Sequence, residues 1–472
     1  MFDPVIAPSG TLLGLLQRGR GDGTLHALAA PRAEALAALN HCVLHDPRHD
    51  WQVENRSLYY ARLYLDLHGG LDAVEHHLFQ AEDHFDTDES RTGLALAVLG
   101  HLASYGRHDA LELLRRYAAT GSNWAWALDE LALRDDDSGL RSLALPVLAR
   151  FPATPEGETE LASAVRDAFE PRPWRLWADD PRLEVGARIR AAGEQGSFDR
   201  WQRQLRPSGP RPGWSVRAVF DWAQQALERG SVLHVPAARC LSAVAGPEDR
   251  PVIVEAARSG PDGARCAALH YLAEAADPVV LDLIEAAATG ADRTVADAAV
   301  SAFERMSGEE AVDRARGWVH RPDALGASAA GVLASRGSTR DTHLVLGALR
   351  ETVRSDGPDA PHLWTLVDGA GRLGIVCAAP VLRHVYRETT SSHLRGRAAR
   401  ALAATDPSYA TGFAVECLWD CEETTREVAA LHAETGDVRV AERLRRLAAD
   451  PAEEAEVQTA VRSRIGPDVP SF

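Results

Sequence analysis

The sequence predicts an all-α protein whose helices pair and stack into an α-α superhelix, and three observations carry that prediction. An apolar anchor recurs through residues 230–450, at Leu241, Leu272, Phe303, Leu333, Leu373, Leu402 and Leu431, in steps of 31, 31, 30, 40, 29 and 29. Breaks rich in Asp, Ser, Gly or Pro separate each anchor from a second amphipathic run. Strand-like alternation of apolar and polar residues never extends beyond a few positions.

Each repeating unit reads as helix, tight turn, helix. Three residues before the anchors stand Ala238, Leu269, Val300, Ala330, Ala370, Ala399 and Val428, and four before them Ala237, Ala268, Ala299, Ala329, Gly369, Ala398 and Glu427. Those spacings put three positions on one helical face, where the small residue lets a neighbouring helix come close. Asp277-Pro278, Ser307-Gly308, Gly337-Ser338, Asp406-Pro407 and Gly436-Asp437 open the second runs. Asp or Ser there supplies an acceptor for unsatisfied helical N–H groups, and Pro suits the first turn. The 40-residue step is explained by an insertion or a longer helix end across residues 350–361.

This pattern resembles HEAT-like repeats, specifically the short class named after phycobiliprotein lyases. The resemblance implies units that cannot bury their apolar face alone and so stack into an α-solenoid with a shared core. The N-terminal half is helical but divergent, with amphipathic runs at 33–44, 52–67, 71–79, 92–105, 110–119 and 124–133. The expected organisation is a divergent helical region at 1–170, an Arg/Trp-rich connector at 171–230, a HEAT-like array at 231–464 and a tail at 465–472.

Composition narrows the function classes. All 51 basic residues are Arg, against 68 acidic ones, for a formal charge of −17. That balance disfavours a protein whose main task is gripping a phosphate backbone. The lack of Lys, the scarcity of Ile and the abundance of Ala and Arg resemble a high-GC bacterial proteome. Met1-Phe2-Asp3-Pro4 opens without a basic region and no apolar run approaches a membrane span. Six scattered cysteines, two of them Cys417 and Cys421, suit a reducing cytoplasm better than a disulfide framework. The spacing of His41, His45 and His49 straddles Asp46-Pro47. No metal site and no cofactor are therefore expected.

Three stretches are candidates for recognition. The densest polar-aromatic run places Arg48, Gln52, Arg56, Tyr59 and Tyr60 near one another, and Arg and Tyr are the side chains that carry interface energy. Residues 171–217 hold ten Arg against five acids, with Trp174, Arg175 and Trp177 at their start. Arg interleaved with Trp suits a seam against the acidic N-terminal half, an acidic partner surface, or stacking on nucleic-acid bases. Trp124, Trp126 and Asp129 invite comparison with the HEAT-like alkylpurine DNA glycosylases, which hold a cationic base between Trp and Asp. The glycine-rich run at 19–24 lacks the Lys-Ser/Thr of a nucleotide loop and reads as an exposed turn.

The expected function is a non-catalytic scaffold or adaptor that binds a protein partner through a curved solenoid surface, with no catalytic residue assigned. The alternative is a nucleic-acid-binding enzyme of the alkylpurine glycosylase type, which requires a basic groove leading to Trp124, Trp126 and Asp129. The partner reading requires Arg48, Arg56, Tyr59 and Tyr60 to be exposed together.

Overall fold

A computed structural model describes residues 6–48, 54, 56–85, 88–194 and 213–465. The fold is all-α, with no strand among the described residues. No helix there is long and apolar enough to cross a membrane. The chain divides into two compact units: residues 1–205 with 387–399 and 408–472, and residues 206–386 with 400–407.

The second unit is built from successive helix pairs. Arg250–Ser259 pairs with Asp262–Glu274, Val280–Ala288 with Arg293–Arg305, Glu309–Trp318 with Ala324–Arg336, and Thr342–Asp356 with Leu363–Arg372. The second helices of consecutive pairs pack side by side. Leu241, Leu272, Phe303, Leu333 and Leu402 are buried, as are the small residues four positions before them. At Gly369 the close approach is explicit, because a Cβ there would lie 2.7 Å from Ala334 Cα. Asp292 and Asp323 cap their helices by accepting from Val295 N–H at 2.9 Å and Gly326 N–H at 3.1 Å. The long step is an extended helix, Thr342–Asp356, stopped by Gly357 at φ +87°.

Arginines tie each pair to its neighbour. Arg372 donates from Nη2 to Gly337 O at 2.8 Å and to Ala334 O at 3.0 Å, satisfying carbonyls at the end of Ala324–Arg336. Arg336 does the same to Glu304 O at 2.6 Å and to Met306 O. Carboxylate partners recur as well, with Arg250–Asp277 and Arg316–Asp341 each at 2.7 Å.

The first unit joins the two ends of the sequence. Leu431, expected as a core anchor, is exposed here, and Val428, Ala429 and Ala430 fill the core instead. The glycine-rich run at 19–24 is buried rather than an exposed turn. Gly19 has φ +68° and its carbonyl accepts from Cys421 N–H at 2.8 Å. A Cβ at Gly21 would overlap the Glu416 carbonyl oxygen, so only glycine permits this contact. Arg20 Nη1 donates to Arg387 O at 2.8 Å, and Ser9 Oγ donates to Glu388 Oε2 at 2.8 Å.

Beneath this contact lie ion pairs removed from water. Arg395 meets Asp420 bidentately at 2.8 and 3.0 Å, with both side chains fully buried. Arg426 meets Glu453 at 2.6 and 3.0 Å, and Glu453 also receives Arg62 at 3.2 Å. Removing one member of such a pair leaves an uncompensated buried charge, a loss of about 3–5 kcal/mol. Arg395→Met is expected to destabilise the first unit by that amount in denaturant unfolding. The double variant Arg395→Met/Asp420→Leu is expected to recover more than half of the loss; a double variant as unstable as the single one would contradict the account.

Candidate functional site

The polar-aromatic stretch expected as a partner face is interior. Arg56 is fully buried at the start of helix Arg56–Asp66, paired with Asp46 and, from Nε, with Glu54 at 3.3 Å. Arg48 lies 3.5 Å from Glu54 and donates to Thr390 O at 3.2 Å. Tyr59 and Tyr60 are buried, donating their hydroxyls to Arg20 O at 2.9 Å and Leu16 O at 3.0 Å. These side chains spend their hydrogen-bonding capacity on the N-terminal helices, which corrects their assignment to a surface. Gln52 lies outside the described residues.

The described part of the Arg/Trp segment is likewise mostly structural, residues 195–212 lying outside the described residues. Trp177 is fully buried and donates Nε1–H to Leu140 O at 2.8 Å. Trp174 packs edge-on to Trp177 with centroids 5.0 Å apart, and to Trp124 at 6.3 Å. Arg172 caps the end of Trp124–Arg134 by donating to Ala132 O at 2.7 Å, and Arg188 pairs with Glu158 at 2.7 Å. Arg175 alone of the three expected residues is exposed.

Trp124, Trp126 and Asp129 do come together, on the wall of a cavity of about 980 Å³ within the first unit. Helix Trp124–Arg134 builds that wall. Ala127, Leu128, Leu131 and Ala132 face the core, while Trp126, Asp129, Glu130 and Leu133, spaced i, i+3, i+4, i+7, line the cavity. Gly100, on helix Glu89–Ser104, makes room for this arrangement, because a Cβ there would overlap the Glu130 carboxylate. Asp129 Oδ1 accepts from Glu170 N–H at 3.0 Å, which fixes the turn carrying Phe169.

The remaining walls add charge of one sign. Glu54, Glu89, Asp167, Glu170, Glu423 and Glu454 join Asp129 and Glu130 around the cavity, with Trp174, His101 and His393, and no arginine is among the described lining residues. Leu133 and Phe169 stand largely exposed at its edge, at 60% and 67%. His393 Nδ1 lies 3.2 Å from Glu422, which also accepts from Ser392 Oγ at 3.0 Å. Sequence reasoning missed Glu54, Glu423, Glu454 and His393, and no local signal marks them, since the fold alone brings them to one place.

Burial sets the protonation of the innermost groups. It pushes Glu130 up to about 7, with Asp129 adding repulsion, although Arg134 at 2.7 Å and the Trp126 indole pull the other way. Burial also brings His101 down to about 4, helped by the charges of Arg134 and Arg62, so this ring is neutral near pH 7. The cavity wall is therefore acidic and aromatic, with Glu54 and Glu130 held by Arg56 and Arg134. No group of three or more His, Cys, Asp or Glu side chains that could hold a metal ion occurs among the described residues.

No known family model matches the chain, and no curated protein matches it in sequence.

The raised Glu130 has a measurable consequence. A carboxyl whose folded value lies above its ordinary 4.5 binds a proton that the unfolded chain has released, so stability is lost as pH rises through about 7. Glu130→Gln is expected to raise the melting temperature at pH 8 by roughly 2–4 °C, the change made by about 1 kcal/mol in a domain of this size. The gain should shrink below pH 5; an equal gain at both pH values would contradict the assignment.

Proposed function

We propose that this chain is a non-catalytic adaptor of the HEAT-like repeat class, working in the bacterial cytoplasm and holding a protein partner at the cavity of its first unit. The observation that carries the reading is the convergence of three indoles and eight carboxylates on one cavity, with Leu133 and Phe169 exposed at its edge. Exposed apolar side chains beside a concave polar site are the ordinary composition of a recognition surface, with an apolar anchor flanked by groups that fix orientation. The HEAT-like assignment is supported by helix pairs whose second helices stack with small residues at the contact. Six free cysteines, five of them buried, suit a reducing compartment.

A second reading is favoured by one observation: Trp124, Trp126 and Asp129, which an alkylpurine-type enzyme would need together, do share the cavity. Eight carboxylates on the cavity wall weigh against it, because a DNA strand would bring its phosphates toward like charge.

Affinity capture from the native host, with and without nuclease, separates the two. The wild-type chain is expected to retain a stoichiometric protein in both arms, and Phe169→Asp, a change at an exposed position, to reduce its recovery at least about tenfold. Captured material that absorbs at 260 nm and disappears with nuclease would overturn the adaptor reading and favour the second one.

A further inference from the structure

A separate cluster of titratable side chains lies in the second unit, where its helix pairs begin. His234, the first residue of helix His234–Val244, stacks on His270 of helix Asp262–Glu274, with ring centroids 4.4 Å apart and planes 17° from parallel. His270 is fully buried, and neither Nδ1 nor Nε2 has a hydrogen-bond partner among the described residues. An imidazole so placed is tolerated only in its neutral form, because its charge would be neither solvated nor paired. Arg305, closing helix Arg293–Arg305, adds a cation that bears on both rings and is itself held by Glu274 at 3.0 Å. Burial, then the charges of His234 and Arg305, bring His270 down to about 3, and burial with Arg305 lowers His234 as well.

The other helices packed against Asp262–Glu274 carry their charges at exposed or paired positions. Arg217, Asp221 and Glu228 of Val216–Glu228 are exposed, as are Arg250, Glu255 and Arg258 of Arg250–Ser259. Val280–Ala288 carries exposed Asp282, and its Glu285 is paired with Arg321 at 3.2 Å. Arg239 and Glu304 are exposed, Arg293 and Asp297 pair at 3.8 Å, and so do Arg265 and Asp262. Cys240 and Cys266 are thiols that burial keeps neutral. The remaining histidines of the second unit, His320, His343, His362 and His384, are all exposed. Among the described residues, His270 is thus the buried imidazole on which acid acts there.

We propose that the His234–His270 stack is an acid-sensitive latch: neutral rings hold His234–Val244 against Asp262–Glu274, and acidification opens that contact while the later helix pairs stay closed. The opened chain binds a proton at the ordinary 6.5 that the closed form refuses. The closed form therefore loses stability as pH falls below about 6.5, and the loss grows down to about 3. This device does not depend on what the first unit binds.

Hydrogen exchange of the full-length chain, read by mass spectrometry at pH 7.5 and 5.5 and corrected for the intrinsic pH dependence of amide exchange, tests the latch. Peptides from 234–244 and 262–274 are expected to open about tenfold more often at pH 5.5, the factor set by one proton taken up at an ordinary histidine. Peptides from 324–336 should change by less than about twofold. His270→Phe, which keeps a ring in the buried position, is expected to remove most of the acid response. Exchange of the histidine C2 hydrogen in the unaltered chain gives a second readout, with the His270 midpoint expected below pH 5. The proposal is overturned by an acid response that is absent, that survives in His270→Phe, or that 324–336 shares equally. A His270 midpoint near 6.5 would overturn it as well.

Discussion

The first unit depends on a buried Arg395–Asp420 pair and on two glycines that let the N-terminal helices reach it. With both side chains out of water, each charge relies on the other, on Asp420 accepting the Glu422 N–H at 3.0 Å, and on Arg395 lying 3.4 Å from the Cys421 sulfur. Gly19 and Gly21 bring backbone against the 416–421 segment where no side chain fits. The result holds residues hundreds of positions apart in one body, and the cavity is a product of that closure. Its walls come from helix Trp124–Arg134 on one side and from His393, Glu423 and Glu454 on another, so neither end of the sequence contains the site by itself.

Arginine does more of the structural work than a charge count suggests. Arg172, Arg336, Arg372 and Arg464 each donate to carbonyls at the end of a preceding helix. A planar guanidinium can serve two carbonyls at once or grip a carboxylate bidentately, which an ammonium cannot match. A chain in which every basic residue is Arg can use one side chain for both tasks.

Much of the fold was legible because repeat periodicity is a local property. The −4, −3 and anchor positions specify which face of each helix meets its neighbour, and burial of Ala237, Leu269, Phe303 and Leu333 follows from that pattern. The helices over 92–105 and 124–133 were legible for the same reason, and the structure places them at Glu89–Ser104 and Trp124–Arg134. The site was legible only in part. Trp124, Trp126 and Asp129 share one helix and so were found together, whereas Glu54, Glu423 and Glu454 meet them only through tertiary closure. Arg56, Tyr59 and Tyr60 misled because a dense polar-aromatic run has the same composition whether it faces a partner or a buried network. Leu431 misled because a one-residue shift in packing register turns an anchor outward while Ala430 takes its place.

The joining of the two ends also fixes the order of events at the ribosome. Gly19 needs Cys421, and Tyr105 donates its hydroxyl to Asp450 at 2.9 Å, so the first helices to emerge are completed by nearly the last. At translation rates of about 5–20 residues per second, the roughly 400 residues between Gly19 and Cys421 take on the order of 20–80 s to synthesise. Throughout that interval the N-terminal helices lack their partner, while the nearest-neighbour contacts of the intervening repeats form as each pair is released. Folding of the first unit therefore waits until the 416–454 segment has been made, and the acidic cavity comes into existence only then.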